Sequence, residues 1–203
     1  PLEKFTSLKL SLGDVRFVKK GESLYIFGKD HRGNDRALRV EITESERNSK
    51  GKNIPYPADL SSIQRMVTHG GKIWLLGESE TGNKILSASL SPSHNDPWQE
   101  ERPSVLEQGK IVSFSSGEEI LIAGIPADDP QHLWIFQQEI DHNKRWRAIA
   151  KTPCNSGQAL MHAAAKRCIL VEPLQTGHLL RVYLFPRDDQ GHFASRASNT
   201  VSL

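Results

Sequence analysis

Eight histidines and two adjacent aspartate pairs are where this chain could first be expected to do chemistry. His31, His69, His94, His132, His142, His162, His178 and His192 form no HxH or HExxH pair and no Cys/His cluster, so metal-ligand spacing is missing. Four of them fall in polar turns: Asp30-His31-Arg32-Gly33-Asn34-Asp35, Ser93-His94-Asn95-Asp96, Asp141-His142-Asn143-Lys144 and Asp188-Asp189-Gln190-Gly191-His192. Asp, Asn and Gly are there because they cap turns and accept positive φ. A calcium loop would need oxygens at alternate positions and a terminal Glu, and these turns lack that order. No metal and no cofactor is expected.

Hydrolytic chemistry leaves equally little trace. There is no Gly-x-Ser-x-Gly nucleophile elbow. Asp128-Asp129 and Asp188-Asp189 are neighbours whose side chains diverge along an extended chain, so neither pair reads as a dyad. Glu41 and Glu139 lie within expected strands and could face a channel, where polar lining residues are ordinary. The expectation is therefore of a protein that is not an enzyme.

The elements that must position these residues repeat. A short apolar strand recurs as Leu24-Tyr25-Ile26-Phe27-Gly28, Ile73-Trp74-Leu75-Leu76-Gly77, Ile120-Leu121-Ile122-Ala123-Gly124 and Cys168-Ile169-Leu170-Val171-Glu172, with starts 49, 47 and 48 residues apart. Such a period signals a modular array. A partner strand precedes each block (Val15 to Val18, Ile63 to Val67, Ile111 to Phe114, Leu160 to Ala164), and hairpin turns such as Gly70-Gly71 separate the two. The stretch 160–166 has helix-favouring composition but is read as a strand from its place in the repeat. A third, alternating strand follows at Ala37 to Ile42, Ile85 to Leu90, Leu133 to Ile140 and Leu179 to Phe185. A fourth segment opens at Ile54, Trp98, Trp146 and Phe193. Two of these run on to a proline at Pro103 and Pro153, where a missing N–H does no harm.

Four antiparallel strands in about 48 residues, repeated, predict an all-β propeller of four blades, with apolar residues buried between stacked blades. The expected layout is one propeller domain or segment over 1–203, with an outer strand at 1–12 and blades at 13–60, 61–106, 107–156 and 157–203. Trp74 and Trp134 are expected in the core and Trp98 and Trp146 between blades. Phe5 lies 49 residues before Ile54 and fits the outer-strand series. An outer strand at each end of the chain favours an arc of a larger ring over a closed four-blade one.

The stretch from Trp98-Gln99-Glu100-Glu101-Arg102-Pro103 through Ile120-Leu121-Ile122-Ala123-Gly124 to Trp146-Arg147-Ala148-Ile149-Ala150-Lys151-Thr152-Pro153 resembles the kelch-type propeller repeat. The likeness covers nearly the whole chain in degenerate form, with a single Gly where kelch units carry a pair. The glycine is lost altogether at Val171-Glu172. Four-bladed hemopexin-like propellers have a similar unit length, but their terminal disulfide is absent, since Cys154 and Cys168 both lie in the last quarter.

Composition narrows the partners. The chain has 203 residues, 25% of them charged, and a net charge of +2, as befits a folded soluble protein. No Lys/Arg run makes an electrostatic footprint for nucleic acid, and no apolar run approaches the roughly 20 residues needed for a membrane-spanning helix. A buried, reduced thiol is the reading for Cys168, and a bridge to Cys154 requires the intervening hairpin to bring them together. Free cysteines and no visible signal peptide favour the cytoplasm, and the missing initial Met suggests a segment of a longer chain.

The second-to-third-strand loops vary most between units. Lys29 to Arg36 is mixed-basic (His31, Arg32, Arg36), Glu78 to Asn83 begins with Glu78, and Ile125 to Gln131 is acidic (Asp128, Asp129). The first expectation for function is accordingly a non-enzymatic module that binds another protein through this loop face, using His31, Arg32, Arg36, Glu78, Asp128 and Asp129. The second is a carbohydrate-binding or glycan-processing propeller. The third is a structural domain of a larger secreted or translocated protein.

Overall fold

The computed structural model describes residues 15–30, 32–42, 51–90, 98–139, 145–154, 156–164, 167–173, 180–188, 193–194 and 199–202. The expected outer strand at 1–12 and the turn histidines His31, His94, His142 and His192 lie outside these residues, as does His178. The first four strands are β1 (Arg16–Lys20), β2 (Ser23–Lys29), β3 (Asp35–Glu41) and β4 (Lys52–Asn53). The next four are β5 (Ser62–His69), β6 (Lys72–Ser79), β7 (Gly82–Ser89) and β8 (Gln99–Glu100). Then follow β9 (Lys110–Ser116), β10 (Ile120–Ile125), β11 (His132–Gln138), β12 (Trp146–Pro153), β13 (Leu160–Ala164), β14 (Arg167–Pro173), β15 (Leu180–Pro186) and β16 (Asn199–Ser202). They form four four-stranded sheets, each a run of sequence neighbours paired antiparallel, as the all-β blade reading requires. Within the helix-prone stretch, Leu160–Ala164 form strand β13, paired along its length with β14.

Contacts divide the chain into two units, 1–100 and 101–203, of two sheets each. In the first, Tyr25, Phe27 and Ala37 of one sheet meet Ile63, Ile73, Leu75 and Leu86 of the other. This follows from strand alternation, which puts every second side chain on the shared face. Trp98 seals the edge: its ring meets Phe27 at 5.9 Å in a T-shaped contact, and its indole N–H donates to the Pro55 carbonyl at 3.1 Å. The expected inter-blade role of Trp98 holds.

The glycine that closes the repeated strand has a packing reason. A Cβ on Gly77 would lie 2.4 Å from the Ser62 carbonyl oxygen and 2.6 Å from Leu60 Cδ1, and one on Gly124 would lie 2.4 Å from Leu106 Cδ1. In each case the leucine of the link into the blade, Leu60 or Leu106, is seated on the bare glycine and buried. Gly77→Ala is expected to destabilise the first unit by about 1–3 kcal/mol, since a backbone carbonyl cannot move aside as a side-chain tip can. Urea unfolding measures this, and a loss under about 0.5 kcal/mol would show that the link relaxes at little cost.

In the second unit Leu121, Ala123, Leu133 and Ile135 pack against Met161, Cys168, Leu170, Tyr183 and Phe185. β13 is an edge strand, and two of its N–H groups donate to serine hydroxyls of the neighbouring sheet: Met161 to Ser113 at 3.2 Å and Ala163 to Ser115 at 2.9 Å. Buried donors are thus satisfied without joining two sheets into one. The chain's own C-terminal strand β16 completes the last sheet by pairing with β15. Cys154 and Cys168 are both free. Burial pushes the Cys168 thiol up to about 12. Cys154 lies beside Glu172, four residues along β14 from Cys168, or about 13 Å at strand rise, too far for a bridge.

Candidate functional site

The turn between β10 and β11 begins with Pro126 and includes Pro130, and it closes tightly. The Asp129 N–H donates to the Pro126 carbonyl at 3.3 Å, and the His132 N–H to the Asp129 carbonyl at 3.2 Å. This brings the Asp129 carboxylate under the first residue of β11. Its Oδ1 lies 2.6 Å from His132 Nδ1, and its Oδ2 accepts the Trp134 indole N–H at 2.9 Å. His132 and Trp134 are two apart on a strand and so share a face. Lys151 is the cross-strand partner of Trp134, and its Nζ sits 3.9 Å from Asp129 Oδ2 and 5.3 Å from the Trp134 ring centroid.

These contacts determine charge and tautomer. The hydrogen bonds from His132 and then Trp134 hold the Asp129 carboxyl below its ordinary value, with the charges of His132 and Lys151 adding to them against a smaller desolvation effect. Asp129 is therefore an anion that can only accept, so the proton of the 2.6 Å contact resides on His132 Nδ1. In neutral imidazole this leaves the lone pair on Nε2. The side chain is one-third exposed (33%). A carboxylate holding an imidazole in one tautomer, beside a lysine, is a general-base arrangement.

The structure distributes the residues singled out in the sequence over both units. In the first, Asp30 organises the β2–β3 loop: its carboxylate accepts the Arg32 and Asn34 N–H groups at 2.8 and 3.0 Å and the Arg36 guanidinium at 3.1 Å. Desolvation alone would push the Asp30 carboxyl up, but these donors outweigh it and hold the group well below the usual range. Arg32 and Arg36 are exposed on this loop, and His31 lies outside the described residues. Glu78 is exposed in β6, and its main-chain carbonyl accepts the Ser61 N–H at 2.8 Å. In the second unit Asp128 is exposed while Asp129 turns inward, the divergence expected of adjacent aspartates.

Trp134 requires a correction. It is half-buried, not a core residue, because its face of β11 is the one that presents His132, while Leu133 and Ile135 take the core face. His132 and Lys151 escaped sequence reasoning as site residues. The available signal was the Asp-x-x-His spacing at the entry to a strand, which has meaning only once the turn is known to close. Among the described residues no group of three or more His, Cys, Asp or Glu could hold a metal ion. Among them, too, no helix is long and apolar enough to cross a membrane.

Fold and site together define an all-β protein of the propeller class with a carboxylate-oriented histidine at the head of an inner strand. The chain is similar to the solved structure of a proposed 6-phosphogluconolactonase from Bacteroides uniformis ATCC 8492, with TM-score 0.50, 13% identity and coverage of 93% of this chain. It spans 57% of the length of that protein. It is also similar to the GH43_1 enzyme from Xanthomonas citri, solved with xylotriose, with TM-score 0.43, 10% identity and coverage of 95% of this chain and 74% of that one. Both are propeller folds. No protein-family model matches the sequence, and no curated protein does. The kelch resemblance thus stays a likeness of sequence pattern. The expectation of a non-enzymatic module is corrected by the Bacteroides protein, which is similar to this chain and whose name is that of an enzyme, a lactonase. A missing short motif is no ground for excluding catalysis, because Asp129, His132 and Lys151 come together from a turn and two neighbouring strands.

Proposed function

We propose that this protein is a carbohydrate-processing propeller that hydrolyses a sugar lactone, with His132 as general base. The observation that carries the reading is the 2.6 Å contact between Asp129 Oδ1 and His132 Nδ1, which leaves Nε2 to act on water. The name of the Bacteroides neighbour supplies the substrate class, and the dyad supplies the chemistry. Nε2 takes a proton from water as its oxygen adds to the lactone carbonyl carbon. The tetrahedral oxyanion collapses with cleavage of the ring C–O bond, and the imidazolium returns its proton to the departing ring oxygen. The product is the open hydroxy acid, which ionises at neutral pH. Asp129 keeps the tautomer and stabilises the transient imidazolium. Lys151, with its side chain 54% exposed, is placed to attract an anionic substrate.

Glycosidic cleavage fits these residues less well. It needs one carboxyl that stays protonated as a general acid beside a second carboxylate. Asp129 is held ionised, and Glu172, an inward carboxylate of the same unit, is 1% exposed. The test is hydrolysis of a panel of δ-lactones of hexonic acids, with and without a 6-phosphate, followed by proton release in a weakly buffered indicator assay. Turnover above the spontaneous rate on at least one of them is expected. Spontaneous rates across the whole panel would sink the reading.

A further inference from the structure

The fourth repeat breaks a rule that two others keep. Where Gly77 and Gly124 leave room for Leu60 and Leu106, the matching position in β14 is Glu172, and the residue 48 after Leu106 is Cys154. An apolar knob on a bare glycine has become a carboxylate beside a thiol. The carboxylate is 1% exposed, and a charge so buried is unfavourable unless it is bonded. Its Oε1 accepts the Ser156 N–H at 3.1 Å, and its cross-strand partner is Arg181. The corresponding tether in the first unit runs between main chains, from Ser61 N–H to the Glu78 carbonyl.

What Glu172 tethers is the link from β12 to β13, and that link borders the site. Pro153 is the cross-strand partner of His132. The Cys154 N–H donates to the carbonyl of Gln131, the residue before His132, at 2.8 Å. Tyr183 of β15 donates its hydroxyl to the Pro153 carbonyl at 3.4 Å. The main chain around His132 is thus held to the last sheet through two side chains, Tyr183 and Glu172. We infer that Glu172 is a positioning residue for His132, acting through Ser156 and Cys154 on the turn that sets the Asp129–His132 contact. This rests on the proposed role of His132 and adds the part of the neighbouring sheet that keeps it in place. Burial first, and the Glu172 charge after it, push the Cys154 thiol up, so Cys154 serves as a packed neutral thiol and a reporter of the link.

The test uses the full chain and needs no turnover. Two readouts are taken: the reaction of Cys154 with an aromatic disulfide, with buried Cys168 as internal reference, and the NMR signal of the His132 Nδ1 proton shared with Asp129. In Glu172→Gly, which installs the residue of the second and third repeats, Cys154 is expected to react about tenfold faster or more as the link opens, and the Nδ1 proton signal to broaden. Glu172→Gln keeps an acceptor for the Ser156 N–H and should retain the wild-type Nδ1 signal, while its Cys154 rate rises only by the loss of the neighbouring charge and stays well below that of Glu172→Gly. A Glu172→Gly protein with an unchanged Cys154 rate and Nδ1 signal overturns the inference, and so does a Glu172→Gln protein that behaves like Glu172→Gly. Should Glu172→Gly fail to fold, Tyr183→Phe cuts the other tether. It should then shift both readouts in the same direction, and wild-type values there count against the inference. A lactone panel with no turnover would remove the catalytic reading while these readouts still decide whether Glu172 orders the His132 turn.

Discussion

Replacing His132 with Asn is expected to lower kcat on a responsive sugar lactone by about 10²- to 10⁴-fold with little change in KM, the span a positioned general base supplies. Asn keeps a polar side chain at the head of β11 but has no lone pair at the Nε2 position. The companion variant Asp129→Asn should lose nearly as much by a different route. The amide at 129 can donate to Nδ1, which shifts the imidazole proton to Nε2 and removes the base from the side facing substrate. The double variant should then be hardly worse than either single one, because the two side chains act as one unit. Steady-state kinetics of the three proteins, with melting curves to confirm folding, give the answer. Loss in Asp129→Asn but not in His132→Asn would assign the chemistry to the carboxylate instead.

Arg187→Ala is expected to cost the second unit about 2–4 kcal/mol, the range for breaking a buried ion pair, reduced because Glu118 is largely exposed. The Arg187 side chain is 8% exposed, follows β15, and reaches the turn between β9 and β10 in the neighbouring sheet. Its Nη2 lies 2.5 Å from Glu119 Oε1, Nη1 pairs with Glu118, and the guanidinium sits 5.3 Å from the centroid of the Phe193 ring. Removing it leaves Glu119, 12% exposed, without that partner and uncovers the aromatic ring. Lysine should restore less than half of the loss, since an ammonium cannot address two carboxylates and a ring face at once. Urea unfolding would show this as a lower midpoint at unchanged slope. A change under about 0.5 kcal/mol would mean that the cluster behaves as an ordinary surface pair.

The blades were legible because their cause is local. The apolar run Leu24 to Phe27 and the third-strand pattern Ala37 to Ile42 are properties of consecutive residues, and hairpin turns such as Gly70-Gly71 declare where the chain reverses. Even the helix-prone stretch 160–166 could be assigned to a strand from the period alone. The glycines Gly77 and Gly124 were visible as the end of the repeated strand. Their reason, a leucine from the incoming link resting on each, was not visible, because the contact joins residues 17 or 18 apart through a bend. The site was read less well. The acidic loop containing Asp129 was singled out, but the residue it meets, His132, was one of eight histidines. The apolar run around Trp134 points to the core, where Leu133 and Ile135 do belong, yet in a strand neighbours face opposite ways.

Residue type and period by themselves determined that this protein is all-β, built of four similar sheets, with varied polar loops at one end of its strands. They could do so because backbone pairing and burial in a blade obey a two-residue alternation repeated about every 48 residues. Only the tertiary structure decided which polar residues meet. The closing of the turn at Pro126 set Asp129 on His132, the register of β11 against β12 put Lys151 over Trp134, and the packing of the last two sheets buried Glu172 beneath the link at Ser156. Each of these depends on a side chain reaching a partner across strands or sheets, over a distance no sequence spacing encodes.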